Sequence, residues 1–151
     1  MFMSDGYIYL ASPYSVKYPL SKHQAHMLRM KRYERVCKMA AELMKNGENV
    51  FCPIAHSHPI ETIGMPGELH GQDFWLKQDF AVLRYAKELV VFQMDGWEQS
   101  SGVKAEIDFA KEHDIPIRYI ENKSFKRVSN RWPSTARKSV ASHSETARKA
   151  A

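Results

Sequence analysis

Long apolar runs are missing from this chain: nothing approaches the roughly 18 uninterrupted apolar residues that a membrane-spanning helix requires. The most apolar stretch, Leu89-Val90-Val91-Phe92, has the length of a buried strand. Cysteine is nearly absent as well. Cys37 and Cys52 are the only two in 151 residues, too few for a disulfide framework and without the paired spacing of a structural zinc site, so both are expected to be buried thiols. Residues Met1 to Gly6 carry neither the basic nor the apolar stretch of a secretory leader, and a cytoplasmic location is the expectation. There is no Walker-type glycine loop, no dinucleotide fingerprint and no internal repeat.

Positive charge is in excess, at a formal net +5, but it is unevenly placed. Residues 121–151 hold eight Lys and Arg against two Glu, a balance of +6 that leaves residues 1–120 at −1. The division expected is an α/β domain over 1–121 and a basic, flexible tail over 122–151. Such a tail can touch nucleic acid through phosphates alone, weakly and without specificity.

Within the domain the apolar period switches repeatedly between two and 3.6. Tyr7 to Ala11 reads as a first strand, ended by Ser12-Pro13-Tyr14-Ser15. Met30, Tyr33, Cys37, Ala40 and Met44 mark the inner face of a helix from about Ser21 to Asn46, stopped by Gly47. Val50 to Ile54 reads as a second strand and Ala55 to His70 as a long loop. A second helix over Gln72 to Tyr85 follows, then a central strand over Glu88 to Met94. A turn-rich segment, Asp95 to Gly102, leads into a third helix carrying Val103, Ile107 and Ala110, and Ile115 to Ile120 closes the pattern. This βαβαβαβ order predicts one domain built as a three-layer, flavodoxin-like or Rossmann-like parallel sheet with helices on both faces. Ligands of such sheets bind beyond the carboxyl ends of the strands. Ser12 to Ser15, Ile54 to His58 and Asp95 to Gly102 are therefore expected to converge, with the start of the third helix offering free N–H groups to an anion.

Two acids, Asp79 and Glu106, fall on helices flanking that place. A carboxyl pair can cleave a glycosidic bond, one attacking the sugar while the other assists the leaving group; two solvated helix acids would look the same in sequence. Ser100 and Ser101 suit a helix cap and a phosphate ligand equally. His56 and His58, separated by one residue in a segment read as extended, are expected to line the pocket together; metal binding by them with His70 and Asp73 is the lesser alternative, because carboxylate chemistry needs no metal or cofactor. Trp97, Tyr9 and Tyr14 lie where they can stack on a base or pack the rim. Met27, Met30, Met39 and Met44 suit the core or a subunit contact.

Three stretches, Tyr7-Ile8-Tyr9-Leu10-Ala11-Ser12-Pro13, then Gln78-Asp79 with Leu83 and Val90-Val91, then Ser100-Ser101-Gly102-Val103-Lys104-Ala105-Glu106, together resemble the nucleoside 2-deoxyribosyltransferase superfamily. That superfamily includes deoxynucleoside 5′-monophosphate hydrolases, and the resemblance runs over about residues 7–120. It implies that Glu106 attacks C1′ of the deoxyribose, that Asp79 handles the base, and that Tyr9 holds Glu106. Ser100 stands where the transferases tend to carry an Asp and the monophosphate hydrolases a Ser. A hydroxyl tolerates a phosphate dianion that a carboxylate would repel. The resemblance further implies a homodimer or higher homo-oligomer. The substrate residues expected are Ser12, Pro13, Tyr14, His56, His58, Asp95, Gly96, Trp97, Ser100, Ser101 and Gly102. The alternatives are a non-catalytic nucleotide-binding or nucleic-acid-associated module that uses the basic tail, and a glycohydrolase acting on another nucleotide.

Overall fold

The computed structural model describes residues 6–16 and 19–123, so the tail beyond Lys123 lies outside the described residues. The elements are β1 (Ile8–Ala11), α1 (Lys22–Lys45), β2 (Val50–Phe51), α2 (Pro53–Pro59), a π-helical segment (Ile60–Gly64), α3 (Gln72–Leu83), β3 (Glu88–Gln93), α4 (Ser101–Glu112) and β4 (Ile117–Glu121). The four strands form one parallel sheet in the order β2-β1-β3-β4. Tyr9 on β1 is in register with Phe51 on one side and Leu89 on the other.

Alternation along the two inner strands sorts the core into two layers. Ile8, Leu10, Val90 and Phe92 face α1 and pack on Val36, Met39 and Ala40. Tyr9, Ala11, Leu89 and Val91 face the other way, onto Leu83 of α3 and Val103 and Ala110 of α4. Both faces are covered, which is why β1 is apolar at every position rather than at every second one. The flavodoxin-like α/β domain expected from the period changes is what the chain forms. No helix among the described residues is long and apolar enough to cross a membrane.

Three local expectations change. The second strand stops at Phe51, and the segment taken as loop begins with a helix: Pro53 occupies its first turn, where a missing N–H costs nothing, and Cys52 precedes it. On α1 the buried stripe is Arg32, Val36, Met39 and Ala40, rotated from the one marked by Met30, Tyr33, Cys37 and Met44; Met44 is 52% exposed. The rotation has a polar cause. Arg32 turns inward because its guanidinium donates to the carbonyls of Tyr14, Ser15 and Asp95 at 3.2, 2.8 and 3.2 Å. Of the thiols, Cys52 is buried and Cys37 only half-buried.

The start of α1 is capped as its sequence suggests: the Ser21 hydroxyl accepts from the Gln24 N–H, and the Gln24 side chain accepts from the Ser21 N–H. At the turn after β3, Gly96 has φ +87°, and a Cβ there would meet Arg32 Nη2 at 2.7 Å. Gly96→Ala is therefore expected to cost ~1–3 kcal/mol of stability, from left-handed strain and displacement of the guanidinium. Urea unfolding of the two proteins measures it, and an unchanged midpoint would show that Arg32 does not hold this turn.

Candidate active site

Glu106 enters the site because α4 begins beyond the carboxyl end of β3 and Glu106 follows its N-cap by six residues, within the first two turns. The cap is Ser100, whose hydroxyl accepts from the Val103 N–H at 3.3 Å. Val103 and Ala110 pin the same helix face into the core, so Glu106 is carried inward with them and is only 5% exposed. The Tyr9 hydroxyl, projecting from β1, donates to Glu106 Oε1 at 2.7 Å. On α3, Gln72, Trp75 or Leu76, and Asp79 recur at helical spacing and share a face. That face and the start of α4 enclose a cavity of about 90 Å³, whose walls include Asp79, Glu106, Ser12, Ser100 and Gly102. The Ser101 hydroxyl closes one edge by donating to Gln72 Oε1.

The electrostatics follow from burial. Desolvation pushes the Glu106 carboxyl up to about 8; the Tyr9 hydrogen bond opposes this, and the neighbouring Asp79 charge adds to it. Desolvation raises Asp79 to about 7. Tyr9 is held well above the usual phenol range by burial first and then by the charges of Glu106 and Asp79, so it remains a donor. The Ser12 hydroxyl is buried and has no hydrogen-bond partner among the described residues, although it lines the cavity. A buried hydroxyl left in that state is suited to a ligand atom.

The structure brings Tyr9, Asp79, Glu106, Ser12, Tyr14, Ser100, Ser101 and Gly102 to one place. Other expected residues go elsewhere. Pro13 is fully buried beneath the loop and does not line the cavity. Asp95 and Gly96 form the turn that Arg32 grips. Trp97 packs on the α4 side of the core and against Tyr119, at 5.7 Å between ring centroids. The histidine pair parts because its segment is helical rather than extended. His56 is exposed, tilted against Phe51. His58, by contrast, stays at the cleft: it is buried, stacked on Tyr33 at 4.1 Å, shares a hydrogen bond with the Tyr14 hydroxyl at 2.5 Å, and lines an adjoining cavity whose walls have Tyr14, Ser15, Gln72 and Trp75 in common with the first; burial lowers its pKa. Gln72, Trp75, Leu76 and Ile54 line the cavity without having been singled out in the sequence. For the first three, their places seven, four and three residues ahead of Asp79 on one helix were the available signal.

Raised carboxyls make a testable link between pH and stability. Between about 4.5 and 8 the folded chain keeps a proton on Glu106 that the unfolded chain releases, and Asp79 behaves likewise from 3.8 to about 7. The native state binds more protons in that window, so stability falls as pH rises through it. Glu106→Gln removes one of the two contributions. Urea unfolding across pH 5 to 8.5 is expected to show the variant gaining on the wild type by up to ~1.4 kcal/mol per pH unit; parallel curves would contradict the burial of an ionisable Glu106.

A comparison with curated proteins finds no match. The profile of a protein family described as a domain of unknown function (DUF1937) matches residues 6–122, from just before β1 to just after β4, and therefore both carboxyls. The chain belongs to that family.

Proposed function

We propose that this protein cleaves or transfers across the N-glycosidic bond of a 2′-deoxynucleoside, taken as its 5′-monophosphate. The observation that carries this is the pair of desolvated carboxyls, Glu106 and Asp79, in one cavity with a phenol donating to Glu106. Two such groups titrate as a unit. With Glu106 raised to about 8 and Asp79 to about 7, the prevailing one-proton form keeps the proton on Glu106; the reactive form is the less populated one, reached by moving that proton to Asp79, with the negative charge on Glu106 supported by the Tyr9 hydroxyl.

The Glu106 carboxylate attacks C1′ as the C1′–N bond breaks. The bond's electron pair goes to the base, which takes the Asp79 proton. Water or a second base then attacks C1′, gives its proton to Asp79, and releases Glu106. The cavity's low exposure favours this chemistry, because the cation-like sugar is stabilised by a carboxylate that little solvent screens. The start of α4, with Ser100 as cap and Ser101 and Gly102 following, suits the 5′-phosphate through N–H groups and hydroxyls. Ser12, with its unpartnered hydroxyl, adds a contact to the sugar or base. A non-catalytic module would have no use for two desolvated acids facing one cavity.

Ile63 and Leu69, 79% and 100% exposed, lie on the segment leading to α3 and suit contact with a second copy of the chain. Light scattering at assay concentration is expected to give a homo-oligomer; a fully active monomer would remove this part of the proposal.

Incubating the protein with the common 2′-deoxynucleoside 5′-monophosphates and separating free base is the direct test. Glu106→Ala is expected to lower base release on the order of 10⁴-fold, with circular dichroism unchanged. The wild-type kcat/KM should rise and fall with pH, its apex lying between about 7 and 8, where the pair holds one proton. Full turnover by Glu106→Ala would overturn the mechanism.

A further inference from the structure

Arg32 holds the loop after β1 by donating to the carbonyls of Tyr14 and Ser15. Those bonds fix backbone and leave the Tyr14 side chain to be placed by other contacts. Its hydroxyl meets Nδ1 of His58 at 2.5 Å, the two rings lying edge to face at 5.7 Å between centroids. The histidine is itself held from two sides. Its ring is stacked on Tyr33 of α1 at 4.1 Å, and its carbonyl accepts from the Thr62 hydroxyl at 2.8 Å.

The direction of the bond follows from the surroundings of its two members. Burial and then the Glu61 charge push the Tyr14 phenol up to about 12, against the opposing effect of Arg29, so the phenol keeps its proton. Burial lowers His58; Glu61 opposes this, and His26 and Arg29 add to it, so the imidazole is neutral near pH 7. Tyr14 therefore donates to Nδ1, and the imidazole carries its own proton on Nε2. Tyr14 is a wall of the cavity that holds Asp79 and Glu106, whereas His58 lines only the adjoining one, so His58 acts on the first cavity through Tyr14. Filling this space does not require an imidazole: a phenylalanine could stack on Tyr33 without the cost of burying a polar ring.

We propose that His58 is a positioning residue, which by accepting from the Tyr14 hydroxyl holds that ring as a wall of the carboxyl cavity and so sets how tightly the cleft binds its substrate. As far as it concerns turnover, the inference rests on the function proposed above for Glu106 and Asp79. The bond-breaking groups are the carboxyls and the wall is Tyr14, so loss of the bond shows in KM rather than in kcat.

Base release from 2′-deoxynucleoside 5′-monophosphates is measured for the full-length chain and its variants. His58→Phe keeps a ring on Tyr33 and removes the acceptor, Tyr14→Phe keeps the wall and removes the donor, and His58→Asn offers an amide oxygen near the place of Nδ1. Each phenylalanine variant is expected to raise KM roughly threefold to tenfold, the worth of one hydrogen bond, with kcat little changed. The double phenylalanine variant should be no worse than either single one, and His58→Asn should recover most of the loss. Should His58→Phe fail to fold, Tyr14→Phe carries the comparison. In parallel, ¹⁵N NMR of the ligand-free protein is expected to find His58 in the Nε2–H tautomer near neutral pH, and Tyr14→Phe should move its Nδ1 resonance toward that of an unbonded imine nitrogen. An Nδ1–H tautomer, an Nδ1 resonance indifferent to Tyr14→Phe, additive losses in the double variant, or a fall in kcat with KM unchanged overturns the proposal. Base release with a wild-type KM in both phenylalanine variants leaves the glycosidase function standing and removes the positioning role. No base release by the wild-type chain removes the glycosidase function, and the hold of His58 on Tyr14 is then decided by the Nδ1 resonance.

Discussion

A carboxyl that is only 5% exposed has to be provided for by its surroundings, and at Glu106 the provision is a single phenol, Tyr9, donating at 2.7 Å across 97 residues of sequence. An ionised carboxylate in that position would be costly without a donor, and a protonated one leaves it idle as a nucleophile. The hydrogen bond lies between these limits. It lowers the cost of the charged form while burial keeps the group near neutrality, and it ties an inner strand to the helix that bears the acid. Removing either member disturbs both the packing of the α4 layer and the balance of protons with Asp79.

The remaining contacts around the cleft hold its walls in place relative to that pair. Arg32 joins the loop after β1 to the turn after β3 through three carbonyls. Tyr14, His58 and Tyr33 link the same loop to α2 and α1, while Ser101 and Gln72 link the starts of α4 and α3. Each of these is a polar or ring contact between segments that the sheet brings near one another but does not itself fix. A parallel sheet with helices on both faces leaves loops at its carboxyl edge that backbone pairing cannot order, and side chains must supply the order. The reacting groups sit on regular elements, and the groups that shape the substrate space sit largely on the loops and short helices between them.

How far the sequence could be read differs by element. Strands β1 and β3, the bounds of α1, the start of α3 and the presence of α4 were legible because burial on one or both sides imposes a period on apolar residues, although α4 begins at Ser101, inside the segment read as a turn. The helix at Pro53–Pro59 was not: two prolines and two histidines in seven residues look like loop composition, and only the favourable role of proline in a first turn argues otherwise. The error carried through to His56 and His58, since residues two apart share a side in a strand and diverge on a helix. On α1, an arginine on the buried stripe broke the assumption that charge marks the solvent face. Its inward position depends on carbonyls from two distant loops, which no local pattern encodes.

The candidate site divides in the same way. Asp79, Glu106, Tyr9 and the serines opening α4 could be named from order, spacing and resemblance, because their places on elements follow from helix and strand periodicity. Whether the acids were desolvated or free in water could not, since that depends on Leu83, Val103 and Ala110 closing over the sheet from helices remote in sequence. That Tyr14, Ser15, Gln72 and Trp75 line two adjoining cavities was likewise settled only by how α1, α2 and α3 meet. The sequence by itself determined which residues lie on which face of each element, a matter of local geometry repeated every two or 3.6 residues. Only the tertiary structure decided which of those faces meet, and so which polar groups lost their water and became candidates for chemistry, because desolvation is a property of the whole packing and not of any one segment.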